Sequence, residues 1–359
     1  MTAYRCVSFR ELGPVELGAW ADVADATEWL RSPCFRPEFC AAVDAERRDV
    51  RVTVLEDGGR PVGFFPHHRR ALGSGRPLAL GLSDFHAVIA PPETEWTVPD
   101  LLRGSRLSCF RFDHALAEQP QFASCAEARA ASPVIDLSAG FAAYIAGRKA
   151  SGSKQIQKVE GLARKLEREV GPIRLVLEET GPSVLDAVVR WKSEQCRAAG
   201  TTDVFGVAWT RSLVRRLLES RTEQFAGVLS ALYVGEELAA AHMGMRSRTV
   251  WHYWFPGYDE KFAKFSPGVL LLLRLAEQAG AAGIRTIDLG KGDAMYKERL
   301  MSGAATVLEG RAEVPSLLAT LHRARLAADR LASRGGAARA LLNLPLRAIG
   351  RMERSYRFR

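Results

Sequence analysis

Trp251-His252-Tyr253-Trp254-Phe255-Pro256-Gly257-Tyr258-Asp259, then after a short gap Lys264-Phe265-Ser266-Pro267-Gly268-Val269-Leu270-Leu271, is the stretch on which the reading turns. A strand over Thr249 to Phe255 ends, a loop intervenes, and an apolar helix opens at Ser-Pro-Gly. Proline suits the first helical turn, where its missing N–H has no partner to lose. Glycine beside it lets the backbone approach a ligand closely. The exposed N–H groups and the helix dipole together favour an anion such as a pyrophosphate. Composition alone reads the same residues as a well-capped core helix, so the anion seat is the functional alternative to that plain reading.

Working outward, Leu229–Tyr233, the turn Val234-Gly235-Glu236-Glu237 and Leu238–His242 read as strand, acidic glycine turn, strand. Upstream, Ile173 to Leu177 is a short strand, Ser183 to Arg197 a helix with Ser183 as expected N-cap, and Trp209 to Leu218 a second helix. Downstream, the Pro267 helix runs to about Gly280, Ile284 to Leu289 is a strand, Ala294 to Met301 a short helix, and Ala305 to Val314 a final strand. The order is strand, two helices, three strands, helix, strand, helix, strand.

The first half echoes this order. Val52–Leu55, Glu56-Asp57-Gly58-Gly59 and Pro61–Pro66 repeat the hairpin. A strand at Cys6–Phe9 and helical segments up to Ala45 precede it. A strand at Phe85–Ala90, a short helix near Leu101 and a strand at Cys109–Phe112 follow. Pro133–Leu137 is expected to cross between the halves. With 359 residues, 47% of them apolar, the chain is long enough for two such units with real cores.

Between the halves, Arg148 to Arg168 holds seven Lys or Arg against two Glu. Ile156, Val159, Ala163, Leu166 and Val170 alternate at three and four residues, which predicts a helix with one apolar face and a solvated basic one. The functional alternative is an electrostatic guide for a phosphate-rich ligand. The net charge of +9 is concentrated at the end of the chain: Ala312 to Arg359 carries ten arginines against Glu313, Asp329 and Glu353. The basic character belongs mostly to that appendage, so DNA is not an expected partner. Leucines such as Leu317, Leu321 and Leu331 interleave with those arginines, as in a helix that packs on the body or lies on a membrane surface. No apolar run reaches membrane-spanning length and no signal core follows Met1, which places the expected location in the cytoplasm, with peripheral contact at the membrane's inner face through the tail. Cys6, Cys34, Cys40, Cys109, Cys125 and Cys196 form no CxxC pair and read as free thiols.

Chemistry can reside in three places. Ile287-Asp288-Leu289-Gly290-Lys291-Gly292-Asp293, followed by Tyr296 and Lys297, lies at the C-terminal end of a strand, where open α/β sheets place ligands. Asp288 is a candidate base, and Tyr296 and Lys297 can reach back over the strand end; the plain alternative is a polar surface loop. His242 on the hairpin's return strand is either a buried, hydrogen-bonded residue or a base. His67, His68 and His86 lack acidic or cysteine partners at ligand spacing, so no metal is expected. Asp84-Phe85-His86 is a further candidate for a cleft lining.

The segments from about Leu229 to Met301 resemble GNAT-related acetyltransferases of the cellulose-biosynthesis CelD/BcsL type. The resemblance rests on Ala240-Ala241-His242, Trp254–Asp259, Ser266-Pro267-Gly268 and Asp288 to Lys297. That family is in turn similar to the Fem-type aminoacyltransferases, which have two fused GNAT-like domains. The resemblance implies an α/β (α+β) fold of tandem GNAT-like domains, each a mixed central sheet flanked by helices. It divides the chain into a degenerate half over 1–140, a catalytic half over 141–314 with a basic helical arm at 148–170, and a basic helical tail over 315–359. It implies acetyl-CoA or another acyl-CoA as co-substrate and an amine or hydroxyl acceptor of saccharide type in envelope or exopolysaccharide synthesis. By the same resemblance Ser266, Pro267, Gly268, Tyr253 and Phe255 hold the donor. His242 or Asp288 takes the acceptor's proton and Tyr296 protonates the leaving thiolate. Trp254, Tyr258, Asp259 and Lys297 hold the acceptor. GNAT enzymes usually present Gln/Arg-x-x-Gly-x-Gly/Ala to the pyrophosphate; Ser266-Pro267-Gly268 stands in its place here. Two other readings stay open: aminoacyl-tRNA as donor, or a catalytically silent scaffold of a polysaccharide machine.

Overall fold

Asp57 and Arg60 close their hairpin through Gly58 and Gly59, both at positive φ (55° and 79°), a turn whose twist matches the paired strands. That hairpin anchors the first of two compact units in the computed structural model, which describes residues 2–292 and 294–314. The first unit gathers 2–23, 47–129 and 308–314; the second gathers 24–46 and 130–307.

In chain order the elements are β1 (Ala3–Val7), α1 (Pro14–Ala26), α2 (Pro37–Glu46), β2 (Val50–Asp57), β3 (Arg60–Arg69), β4 (Ser74–Pro77), α3 (Val98–Gly104), β5 (Cys109–Leu116), α4 (Pro120–Ala123) and β6 (Ala126–Asp136). There follow α5 (Phe141–Ala150), α6 (Gln155–Glu169), β7 (Ile173–Val176), α7 (Pro182–Ala198), α8 (Ala208–Glu219), β8 (Ala226–Val234), β9 (Glu237–Arg246), β10 (Val250–Tyr258), α9 (Pro267–Ala281), β11 (Thr286–Asp288), α10 (Met295–Leu300) and β12 (Gly303–Glu313).

The first unit orders its strands β1-β2-β3-β4-β5, antiparallel except for β4 beside β5. Phe65, Phe110, Phe112 and Phe122 fill its core between the sheet and α3. The strand expected at Phe85–Ala90 does not form. Its ends make single bridges, His86 to Ala115 and Ile89 to Phe64. Between them the Gln119 amide takes both backbone groups of Val88, at 2.9 and 2.7 Å, so no ladder continues. The strand expected at Cys6–Phe9 runs instead over Ala3–Val7, paired with β2, and ends there because Ser8 and Glu11 form a capping box that turns the chain at Phe9.

The second unit orders its strands β6-β11-β10-β9-β8-β7, antiparallel except for β10 beside β11. Helix α9 is its central column: Leu270, Leu271, Leu272, Leu273, Leu275 and Ala276 are all buried. Helix α6 covers part of that column with Ile156, Val159, Ala163 and Leu166, as its periodicity predicts, while Val170 falls past the helix end and is 43% exposed. Arg274 binds both carboxylate oxygens of Glu160 at 2.7 and 2.9 Å, a bidentate tie between α9 and α6. Helix α7 starts one residue earlier than expected: Gly181 is the N-cap and Pro182 the first helical residue, so Ser183 does not cap. Each unit is thus a mixed sheet flanked by helices, the α/β architecture expected from the sequence. No described helix is long and apolar enough to cross a membrane. The expected helical tail, 315–359, lies outside the described residues, as does Asp293.

Candidate active site

Strands β10 and β11 run side by side for three residues, Val250 to His252 against Thr286 to Asp288, and then part. On its other edge β10 stays with β9 as far as Tyr258, but the register slips between His252 and Phe255. A slip of this kind leaves peptide groups without ladder partners. Tyr253 and Trp254 therefore sit where β10 has lost both regular neighbours. Beside them opens a cavity of about 540 Å³, within the second unit.

Three helices complete its walls. Ser266, Pro267, Gly268 and Val269 bring the start of α9 to the cavity. Ser266 is left-handed, φ 55° and ψ 50°, the one non-glycine residue at positive φ among the described residues of this unit. Such a conformation costs on the order of 1–3 kcal/mol and clusters at ligand sites. The carbonyl of Ser266 accepts the N–H groups of Val269 and Leu270, both at 3.1 Å. Proline has no N–H, so Gly268 carries the first unspent donor of the helix. Helix α10 supplies Tyr296 and Lys297, and α7 supplies Lys192 and Gln195.

Electrostatics separate the tyrosines from solvent. Burial pushes the Tyr296 phenol up to about 12. Burial, and then the neighbouring Tyr296, hold Tyr253 well above the ordinary tyrosine range. Both phenols keep their protons at neutral pH, and the Tyr253 hydroxyl donates to the Gly268 carbonyl at 3.4 Å. The Lys297 ammonium donates to the carbonyls of Gly290 (2.9 Å) and Lys291 (3.1 Å), which fixes the loop after β11.

Of the residues singled out in the sequence, the structure brings Tyr253, Trp254, Tyr258, Ser266, Pro267, Gly268, Tyr296 and Lys297 to this cavity. The other four lie elsewhere. Phe255 does not line the cavity: its ring meets Phe205 at 4.8 Å and stacks on Trp254 at 4.4 Å, behind the lining. Asp259 caps the turn after β10 by accepting the Lys261 N–H at 3.0 Å. His242 is fully buried and stacks flat on Tyr253, centroids 4.2 Å apart. Burial, followed by the nearby His252, lowers its pKa to about 3, so it is neutral. Asp288 is 1% exposed; it accepts from the Gly290 N–H at 2.9 Å and meets His252 Nδ1 at 2.6 Å. His242 and Asp288 are absent from the cavity lining.

Sequence reasoning missed His252, Lys192 and Gln195. No local signal marks His252: its place opposite Asp288 follows from the parallel register of β10 and β11. Lys192 and Gln195 lie one helical turn apart on α7, next to the buried Trp191, which was their signal. In the first unit, His86, Asp113 and His114 converge with candidate donor atoms within 4.8 Å of one another, a grouping their spacing had not announced. His86 Nε2 also lies 3.2 Å from the Ser83 carbonyl, and His114 Nε2 lies 3.5 Å from Asp84.

Residues 153–298 match the family model described as acetyltransferase (GNAT) domain. Among solved structures, FemX is similar at 8% identity and TM-score 0.57, over 85% of this chain and 98% of that one. The C-terminal domain of a protein described as a lysylphosphatidylglycerol synthetase from Agrobacterium fabrum is similar at 11% identity and TM-score 0.50, over 86% and 94%. A tandem GNAT protein from the clavulanic acid biosynthesis pathway is similar at 12% identity and TM-score 0.47, over 88% and 100%. No curated protein matches the chain. The matched domain spans the cavity's walls from Lys192 to Lys297 and supports an acyltransferase.

Proposed function

We propose that the chain transfers an acyl group from an acyl-CoA, acetyl-CoA being the expected donor, to an amine or hydroxyl of a saccharide-type acceptor in envelope or exopolysaccharide synthesis, in the manner of the CelD/BcsL type. The observation that carries this reading is the parting of β10 from β11 over a cavity that also receives the start of α9. A thioester laid in that gap presents its carbonyl to the peptide groups of Tyr253 and Trp254. N–H groups fixed there before reaction stabilise the tetrahedral oxyanion without reorganising. The Gly268 N–H and the α9 dipole favour the donor's pyrophosphate.

Tyr296, protonated at neutral pH, hydrogen-bonds the leaving sulfur as negative charge develops on it. The Trp254 and Tyr258 rings offer apolar faces to a sugar ring. A base role for His242 or Asp288 requires a bridging water, since neither lines the cavity; in this reading both hold the floor beneath Tyr253 and the β11 end. Calorimetric titration of acetyl-CoA into the full chain tests the proposal. Saturable binding is expected, and its loss in Gly268→Trp, whose side chain would start 3.4 Å from the Tyr258 ring. Absence of binding by acetyl-CoA and by longer acyl-CoAs would remove this donor.

A second reading, aminoacyl-tRNA as donor, is favoured by the exposed Lys154, Lys158, Arg164 and Lys165 of the α6 region. Its signature is RNA retention that weakens steeply with salt and disappears when those four are neutralised.

A further inference from the structure

We propose that Lys192 forms an anion subsite in the cavity of the second unit, in the field of the Lys297 charge, and that the acceptor carries a carboxylate or phosphate that docks there. The inference rests on the acyltransfer reading and names its acceptor class. Lys192 on α7 and Lys297 on α10 line the same cavity from two different helices. Among the described residues no carboxylate lines it. The Lys192 ammonium meets the Gln195 side-chain oxygen at 3.3 Å and has no ion pair with a described carboxylate. Gln195 is neutral and exposes its amide to the same space, so it orients the ammonium without cancelling its charge.

An ammonium drawn out of water with no counter-ion is costly, and a second cation in the same cavity raises that cost. In Lys192 the cost is visible as a lowered pKa: burial is its largest cause, the Lys297 charge adds to it, and the Cys196 thiol acts against it. A bound anion relieves both the desolvation and the repulsion. Four aromatic side chains, Tyr253, Trp254, Tyr258 and Tyr296, share the lining with small and aliphatic residues. The combination fits an acidic sugar or a sugar phosphate better than a neutral saccharide. The donor's own phosphates share this chemistry and are the competing source. They have a separate seat at Gly268, so the two sources are separable by experiment.

Inorganic phosphate is the probe, titrated calorimetrically into the full chain, alone and after saturation with acetyl-CoA. A saturable phosphate site is expected that persists after saturation with acetyl-CoA. Lys192→Gln is expected to weaken phosphate by about tenfold, the scale of one lost charged hydrogen bond, while acetyl-CoA affinity stays within about twofold. Lys192→Arg keeps the charge and is expected to retain phosphate binding, which separates charge from folding. Above neutral pH phosphate binding is expected to take up protons, measured as a dependence of heat on buffer ionisation, because the anion favours the charged lysine. No saturable phosphate site would overturn the proposal. So would phosphate displaced by acetyl-CoA with Lys192→Gln weakening both, since Lys192 then serves the donor. Phosphate bound at Lys192 with no acetyl-CoA binding at all would leave the subsite standing and remove the acyl-CoA reading instead.

Discussion

His242 lies under Tyr253, fully buried and stacked on it, and its imidazole stays neutral because water cannot reach a charge there. Its folded pKa is about 3, against an ordinary value of 6.5. Between those two pH values the unfolded chain binds a proton that the folded chain refuses. Stability from this residue is therefore complete above pH 6.5 and falls as the pH falls through the window. Going from pH 7 to pH 5 costs about 2 kcal/mol for one such histidine. His67, held at about 4 by burial, and His86, held at about 3 by burial, act in the same direction. For His242→Gln, proton uptake on unfolding at pH 5, measured by calorimetry in buffers of different ionisation heat, is expected to drop by about one proton. An unchanged uptake would mean that His242 is hydrated in the folded state, which would reopen a direct base role. Asp288 illustrates the complementary limit of residue-level reading. Its place at a strand end was legible; its engagement by His252 and the Gly290 N–H was not, because both partners are fixed by strand register and loop geometry.

Elements with local signals were the most legible. Helix α9 announces itself by Pro267 and an unbroken leucine face, and the two hairpins by their glycine turns. What failed was whatever depended on a distant competitor. Phe85–Ala90 has strand composition, but a side chain thirty-odd residues away takes its backbone groups. Strand β4, Ser-Gly-Arg-Pro, has no strand composition and is held by its neighbours β3 and β5. The contact of α8 with β8 is another long-range feature. A Cβ on Gly227 would stand 2.1 Å from the Leu217 carbonyl oxygen and 2.7 Å from the Leu218 nitrogen, both backbone atoms that cannot rotate away. Gly227→Ala is expected to force the helix off the strand and to destabilise the second unit by about 1–3 kcal/mol or more, read as a lowered urea midpoint. A variant with the parental midpoint would show that α8 floats freely on the sheet.

Across the whole molecule, the decisive feature is that sequence order and spatial grouping differ. Residues 24–46 precede the first hairpin, yet they belong with 130–307. The sequence shows two similar halves in series and contains no local mark of this exchange, since only packing reveals it. Helix α2 earns its place in the second unit through specific contacts. Phe39, Cys40 and Val43 are fully buried, and the Phe39 ring meets Trp254 at 6.3 Å beside the cavity. Glu46 pairs with Arg216 of α8 at 3.0 Å, and Glu38 accepts from Thr222 at 2.9 Å. Arg36, 1% exposed, pairs with Asp25 at 2.9 Å and so ties the segment together internally. Full burial of a phenylalanine or valine side chain is worth about 1.5–3 kcal/mol. Losing several at once consumes much of a typical domain's 5–15 kcal/mol. A fragment covering 130–307 therefore contains every residue lining the cavity but lacks α2. It is expected to retain helical far-ultraviolet dichroism while binding ANS and losing its near-ultraviolet signal and cooperative melt. Adding a peptide of residues 24–46 in trans is expected to restore part of the melt. In the full chain, Phe39→Ala is expected to cost about 3–5 kcal/mol. It is also expected to weaken acetyl-CoA binding, because Trp254 loses its support. A fragment that melts cooperatively near the parental temperature without the peptide would refute this account and show that the second unit closes its core without α2.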